Sequence, residues 1–160
     1  MGQKHKKGAP KLCLIASSGG HFEQLLMLRP LLEKYEGFFV TEKTAYAVEA
    51  EGQRILFLKQ VNRRERGMLL KMLGNAFRSA AILLRERPDV VITTGALSVI
   101  PLCLLAKLFG KKLIFIESFA KVTTPTETGK LLYRFADRFY VQWESMLAVY
   151  PNAVYKGGIY

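Results

Sequence analysis

The amino-acid sequence predicts an α/β fold in which a parallel sheet of about six strands is covered by helices on both faces. Short apolar runs alternate along the chain with segments of helical spacing. The runs are apolar throughout, a pattern typical of parallel strands that are buried on both faces. Half of the 160 residues are hydrophobic, which is enough for the core of a single domain.

Each predicted strand is an apolar, β-branched or aromatic run that is bounded by turn or polar residues. Five runs are clear, at residues 12–16, 38–41, 55–58, 90–93 and 113–116, and a weaker one covers 139–141. Whether the C-terminal residues 154–160 form a last strand or contact a partner is left open.

The helical segments lie between these strands. They cover residues 21–35 with a kink at Pro30, 45–50, 65–86, 98–109 and 127–136. Gly110 is typical of a helix C-cap before the fifth strand. The longest segment has one apolar stripe, which predicts packing on the sheet, whereas its extra residues Met68, Leu70 and Ile82 could contact lipid. The stripe consists of Leu69, Leu73, Ala76, Phe77, Ala80, Leu83 and Leu84.

Charge and hydropathy limit the choice of partner. The chain carries 24 basic and 13 acidic residues, which favours nucleic acid, anionic lipid or phosphorylated substrates. No aromatic stacking platform accompanies the scattered basic residues, so we expect no nucleic acid partner.

The sequence predicts one domain. Residues 1–10 are predicted to be a basic flexible tail and 11–160 a single domain. The most apolar stretch, 99–109, is too short for a transmembrane helix.

Two glycine-containing turns predict a phosphate-binding crevice. Ser17, Ser18, Gly19 and Gly20 follow the first strand, and Thr94, Gly95 and Ser98 follow the fourth. With strands in the order 3-2-1-4-5-6, both turns would flank the crevice where the strand order reverses. A helix follows each turn, so backbone N–H groups would face a bound anion. These residues are therefore candidates for phosphate or acceptor binding.

His21 and Glu117 are the candidate catalytic residues. His21 lies in the first turn of a helix, where a neutral imidazole can act on a hydroxyl. Glu117 directly follows the fifth strand, where it can bind a sugar hydroxyl, act as a base or only cap the next turn. A structural role and a functional role are both open for each residue.

Other site chemistries are less well supported. Glu42 after the second strand could bind a ribose, but the residues around Gly20 lack the G-x-G-x-x-G spacing of dinucleotide-binding proteins. Cys13 and Cys103 have no metal-ligand spacing. The sequence therefore implies no metal and no cofactor.

Four segments in order carry a family resemblance: "SSGGH", "RPDVVITTGALSVIP", "IFIESFAKVTTPTETGKLLYRFADRFYVQWE" and "YPNAVYKGGIY". From Lys11 onward the chain resembles polysaccharide-biosynthesis subunits of the PssD/CpsF type. These are similar to the membrane-anchoring subunit of the eukaryotic split N-acetylglucosaminyltransferase that acts on dolichol-diphosphate-GlcNAc. They also resemble the Rossmann-like N-terminal half of the GT-B glycosyltransferase MurG.

The resemblance implies an acceptor-binding subunit of a two-chain glycosyltransferase. Gly19, Gly20 and His21 would match MurG's first glycine loop, Gly95 its second, and Glu117 the glutamate of its HEQN segment. A separately encoded catalytic subunit would hold most of the nucleotide sugar, and the acceptor would be a lipid-diphosphate-linked sugar. Attachment to the cytoplasmic face of an anionic membrane would be peripheral.

Two alternatives stay open. The chain could be a non-catalytic scaffold that recruits the catalytic subunit to the membrane. It could also be a stand-alone module that binds a sugar nucleotide or a dinucleotide.

Overall fold

The computed structural model describes residues 8–45, 50, 52–62 and 64–160. Seven strands within these ranges form one sheet. The strands are β1 (Leu12–Ala16), β2 (Gly37–Lys43), β3 (Ile55–Lys59), β4 (Val90–Gly95), β5 (Lys112–Ile116), β6 (Arg138–Val141) and β7 (Val154–Tyr155). All neighbouring strands are parallel, in the order β3-β2-β1-β4-β5-β6-β7. The predicted fold class and the order of the six predicted strands are confirmed, and β7 extends the sheet.

Helices cover both faces of this sheet, as predicted. They are α1 (Gly20–Leu26), α2 (Leu31–Lys34), α3 (Met68–Glu86), α4 (Ile100–Leu108) and α5 (Glu127–Leu132), with 3₁₀ turns at Leu97–Val99 and Glu144–Ala148. Residues of α3, α4 and α5 share one core cluster, and residues of α1 and α2 share the other. The helix predicted for 45–50 and the tail predicted for 1–10 fall mainly outside the described residues.

The helix predicted over residues 21–35 is two helices. α1 ends at Leu26, and the N–H groups of Leu28 and Arg29 bond to the carbonyls three residues earlier. Pro30 has no N–H with which to continue the helical ladder, and it caps the short α2. The proline therefore breaks the helix where the sequence predicts only a kink.

The C-terminal end of α4 agrees with its predicted glycine cap. Gly110 has a φ of 71°, in the left-handed region that glycine adopts without strain. Its N–H donates to the Lys107 carbonyl, and the Lys111 N–H donates to the Ala106 carbonyl. This pair of bonds is the Schellman motif, which turns the chain into β5.

α3 buries a different face from the one predicted. Of the predicted stripe only Leu83 is buried, whereas Leu69, Leu73, Phe77 and Leu84 are exposed. The buried positions are Asn75, Ser79, Ile82, Leu83 and Glu86. The prediction that the stripe packs on the sheet is therefore wrong.

Polar groups at the sheet edge explain this rotation of α3. The Asn75 amide accepts from the Lys59 N–H at 2.9 Å and donates to the Lys59 carbonyl at 2.8 Å, satisfying both backbone groups at the end of β3. Glu86 accepts two hydrogen bonds from the Arg54 guanidinium, at 2.9 and 2.6 Å. The hydrogen bonds from Arg54 and the nearby Lys11 ammonium lower the pKa of Glu86. Polar contacts therefore orient this helix.

Candidate functional site

The two predicted glycine turns lie side by side in the structure. β1 and β4 are neighbours at the point where the strand order reverses, and Ala16 pairs with Gly95 at their carboxyl ends. A register shift after Ile15 allows this pairing. Both turns therefore lie at the point of strand-order reversal, as predicted.

Two hydrogen bonds join the turns through His21 and Thr94. His21 Nδ1 lies 2.8 Å from the Thr94 carbonyl oxygen. Because a carbonyl can only accept, Nδ1 carries the proton of the neutral ring and donates it to this bond. Thr94 Oγ1 donates to the His21 main-chain carbonyl at 2.7 Å. The imidazole is thus oriented, and its Nε2 lone pair is left to accept a proton from a hydroxyl.

The first turn offers open space beside its backbone. Gly19 and Gly20 are exposed, and a Cβ built at either would meet nothing within 4 Å. Gly19 has a φ of 77°, which glycine adopts without strain. α1 has only seven residues, so any anion held here would be bound mainly by individual N–H groups and only weakly by the helix dipole.

Glu42 is a buried hydrogen-bond acceptor beside this turn, a role that the sequence analysis missed. It is 5% exposed, and its Oε1 accepts from the Val61 N–H at 3.1 Å. The Ser18 hydroxyl donates to its Oε2 at 3.4 Å, a weak bond. An acidic residue near the end of an apolar strand, the pattern that singled out Glu117, was the available signal.

The second turn is largely occupied by its own hydrogen bonds. The Gly95 N–H donates to Thr93 Oγ1 at 3.0 Å. Thr94 is fully buried, and Ser98 is 1% exposed. Within the described part of the chain, the Ser98 hydroxyl has no hydrogen-bond partner. This geometry favours positioning roles for Thr94 and Gly95.

Replacing Ala96 by glycine is expected to raise the free energy of unfolding by about 1 kcal/mol. Ala96 has a φ of 108°, where a Cβ is strained and glycine is not. Urea denaturation of the variant and the parent chain measures the difference. Ala106→Gly, inside α4, is the control and should lower stability. An A96G variant less stable than the parent would contradict the strain argument.

Glu117 is a buried acceptor for four hydrogen bonds. It is 1% exposed. Its Oε1 accepts from the Ser118 N–H at 2.9 Å and from Thr126 Oγ1 at 2.8 Å. Its Oε2 accepts from the Thr126 N–H at 3.1 Å and from the Tyr150 hydroxyl at 2.8 Å. Burial raises the pKa of Tyr150 far above its ordinary range, and the neighbouring Glu117 carboxylate raises it further. The arrangement favours a structural role for Glu117, in which its carboxylate caps the turn into α5.

A second buried network links α1 to the C-terminal segment. Gln24 Oε1 accepts from the Phe119 N–H at 2.9 Å and from Gln142 Nε2 at 2.8 Å. Gln142 Nε2 also donates to the Glu117 carbonyl at 2.9 Å, and its Oε1 accepts from the Ile159 N–H at 3.0 Å. Gln24 is thus a buried structural residue that ties α1 to the C-terminal segment.

The described ranges contain neither a metal-binding cluster nor an accessible thiol. These residues contain no group of three or more His, Cys, Asp and Glu side chains that could hold a metal ion. Cys13 and Cys103 are buried free thiols, and burial raises the pKa of Cys103 to about 12. Neither cysteine is therefore an accessible nucleophile.

The predicted site residues differ in accessibility. Ser17, Ser18 and His21 are partly exposed, and Gly19 and Gly20 are exposed, on the first turn. Thr94, Gly95, Ser98 and Glu117 are buried. The binding and catalytic roles of all of them stay predictions.

Comparison with known sequences identifies relatives for most of the chain. Residues 40–159 match the family model described as "Oligosaccharide biosynthesis protein Alg14 like". The chain is 28% identical to the mouse UDP-N-acetylglucosamine transferase subunit ALG14, over 93% of this chain and 82% of the mouse protein. It is 37% identical to the human protein of the same name, over 51% of this chain and 40% of that protein.

Comparison with solved structures supports the fold. MurG from Acinetobacter baumannii superposes with a TM-score of 0.70 at 18% sequence identity, over 85% of this chain. The match spans 42% of the MurG chain. At this level of identity the likeness establishes a shared Rossmann-like architecture.

Proposed function

Because the chain belongs to the Alg14-like family of oligosaccharide biosynthesis proteins, we propose that it is the acceptor-binding subunit of a two-chain glycosyltransferase. The names of the mouse and human relatives, subunits of a UDP-N-acetylglucosamine transferase, support a UDP-sugar donor. The acceptor in this proposal is a lipid-diphosphate-linked saccharide. A separately encoded catalytic subunit supplies the second lobe and holds most of the nucleotide sugar.

The oriented imidazole of His21 beside the open Gly19–Gly20 backbone carries this proposal. The acceptor hydroxyl attacks the anomeric carbon of the donor, and the bond from that carbon to the diphosphate oxygen breaks. Nε2 of His21 takes the hydroxyl proton, and the nucleoside diphosphate leaves. N–H groups of the first turn hold the acceptor diphosphate, which aligns the reactants. Glu117 holds the turn into α5 in place.

The finer assignments follow the resemblance in sequence. The product belongs to exopolysaccharide or capsule synthesis, as in subunits of the PssD/CpsF type. The domain, residues 11–160, acts at the cytoplasmic face of the membrane, to which it binds peripherally, with the basic tail assisting attachment. The basic composition suits an anionic membrane surface.

Reconstitution tests the proposal. The chain, its partner subunit and their mixture are each assayed for sugar transfer from a UDP-sugar to a lipid-diphosphate-linked acceptor. We expect turnover only from the mixture. Appreciable transfer by the chain alone would refute the two-chain assignment.

Gly20→Ala is a sharper probe of acceptor binding. Gly20 is the first residue of α1, and a Cβ there meets open space, so the fold should tolerate alanine. A methyl group at this point would obstruct a diphosphate approaching the backbone. We therefore expect a KM for the acceptor raised about tenfold or more, with the KM for the donor unchanged. Gly74→Ala, also in open space but on α3, is the control.

Two other functions remain as alternatives. The buried, internally bonded Thr94 and Glu117 favour a non-catalytic scaffold, which the His21 variants below distinguish from the proposal. A stand-alone nucleotide-binding module is less well supported, since Glu42 already bonds to Val61 and Ser18. Saturable calorimetric binding of a UDP-sugar or NAD to the lone chain would favour that module.

A further inference from the structure

The free edge of the sheet, beside α3, forms a basic groove. β3 is the outermost strand: β2 pairs with one side of it, and no strand among the described residues pairs with the other. Two adjoining cavities of about 240 and 440 Å³ lie between β3 and α3, and Arg78 lines both. We define this surface as the edge groove. Its cations are Lys43, Arg54, Lys59, Lys71, Arg78 and Arg85.

Backbone groups of β3 are unpaired along the edge groove. The Phe39 N–H donates to the Arg54 carbonyl at 2.9 Å, so the even-numbered residues of β3 are the ones that bond to β2. The N–H and C=O groups of Ile55, Phe57 and Lys59 therefore point to the free edge. α3 satisfies both groups of Lys59, whereas those of Ile55 and Phe57 have no partner in the described part of the chain. These two residues can pair with an added strand.

The positive charge of the edge groove is only partly neutralised. Glu86 already accepts two hydrogen bonds from Arg54, and Lys71 bonds to Glu65. Arg78 and Arg85 are exposed, and neither has an ion pair among the described residues. They are about 10 Å apart along the axis of α3, within reach of carboxylates on alternate residues of an extended chain. The free charge of the groove is therefore complementary to an acidic strand.

Apolar side chains form the rest of the groove surface. Leu56 and Ile82 line it on the face of the sheet that α3 covers, whereas Ile55 packs on the opposite face. Phe57 points to the same face as Ile55, because successive side chains of a strand alternate between faces. An added strand would place one row of side chains beside the α3 arginines and the other row beside Ile55 and Phe57. The groove thus matches a segment in which acidic and apolar residues alternate.

We propose that the edge groove binds an acidic, extended segment of a partner protein, which adds an eighth strand beside β3. The backbone of the segment pairs with Ile55 and Phe57, and its carboxylates bind Arg78 and Arg85. A second copy of this chain is disfavoured, because two basic edges repel each other. A small anion would leave the backbone and apolar groups of the groove unused. The proposal is independent of the proposed function, since β3 lies two strands away from β1 and its glycine turn.

Fluorescence anisotropy of a labelled peptide tests the edge groove on the full chain. The probe is a peptide of about seven residues in which glutamate and valine alternate. Replacing its glutamates by glutamines should weaken binding at least about tenfold. Methylating the amide nitrogens of only the glutamates, or of only the valines, should abolish binding in one case and spare it in the other. The reason is that alternate amides of a strand face opposite edges.

Charge substitutions in the chain test the arginine contacts. Arg78→Gln combined with Arg85→Gln should weaken binding of the peptide at least about tenfold. Lys34→Gln combined with Arg138→Gln is the matched control, because it also removes two exposed cations, both outside the edge groove. The control should bind within about twofold of the parent chain, since charges this far from the peptide are screened by salt.

A proline substitution tests the backbone pairing. Phe57→Pro removes an N–H that points to the free edge, a position at which a strand tolerates proline. It should weaken binding of the peptide at least about tenfold, whereas Phe57→Val keeps the N–H and should bind within about threefold of the parent chain. Urea denaturation checks that each variant is folded. If Phe57→Pro does not fold, the two methylated peptides decide the same question.

Three results would overturn the proposal. The first is that the alternating peptide does not bind the parent chain. The second is that the folded arginine and proline variants bind it as well as their controls, or that both methylated peptides bind alike. The third is that polyglutamate or a single-stranded oligonucleotide binds as tightly as the alternating peptide and is unaffected by Phe57→Pro, which would make the groove a general polyanion surface.

Discussion

Replacing Glu117 by alanine is expected to lower the free energy of unfolding by about 3 to 5 kcal/mol. The carboxylate is 1% exposed and accepts four hydrogen bonds. Its removal leaves the Ser118 and Thr126 N–H groups and the Tyr150 hydroxyl buried without their acceptor. Stability on this scale is a large part of what a domain of this size possesses.

Urea denaturation at neutral pH measures the loss. Tyr150→Phe removes one of the four donors and should cost about 1 kcal/mol. Glu144→Ala removes an exposed carboxylate and should change stability by less than about 0.5 kcal/mol. A Glu117→Ala variant as stable as the Glu144→Ala control would contradict the structural role. Loss of transfer in a Glu117 variant is evidence for catalysis only where the variant is shown to be folded.

Replacing His21 by asparagine is expected to lower kcat of the reconstituted complex about 10²- to 10⁴-fold, with the KM of both substrates nearly unchanged. An asparagine side-chain N–H can take the place of Nδ1 and donate to the Thr94 carbonyl, which the histidine contacts at 2.8 Å. The bond from Thr94 Oγ1 reaches the main chain of residue 21 and persists in the variant. The fold is thus retained while the proton acceptor Nε2 is lost.

Steady-state kinetics of the parent and variant complexes provides the decisive readout. Added imidazole should restore part of the activity. Turnover equal to the parent rate, with the complex intact by size-exclusion chromatography, would establish the scaffold alternative.

Local sequence patterns predict the strands of this protein well. A buried parallel strand must be apolar on both faces, so each run from residues 12–16 to 113–116 is visible without tertiary information. Gly110 is equally clear, because a helix ending in the left-handed conformation favours glycine. The glycine turn at residues 17–20 is recognisable for the same local reason. The order of the strands agrees with a common α/β topology.

Long-range hydrogen bonds account for the differences at the site. The four donors to Glu117 come from residues 118, 126 and 150. Their meeting depends on how α5 and the C-terminal segment pack, so spacing along the chain does not reveal it. Residues at strand ends can thus be predicted as site candidates, whereas their free or occupied state depends on partners distant in sequence.

The sequence by itself determined the α/β class, the two glycine turns and the placement of His21, since these depend on local propensity and on the shared edge of parallel strands. Only the tertiary structure decided which face of α3 is buried. Asn75 bonds to the edge strand β3 and Glu86 to Arg54 just before it. That orientation exposes Leu69, Leu73 and Phe77. The physical reason is that unpaired backbone groups at a sheet edge need hydrogen-bond partners, a requirement that hydropathy patterns do not register.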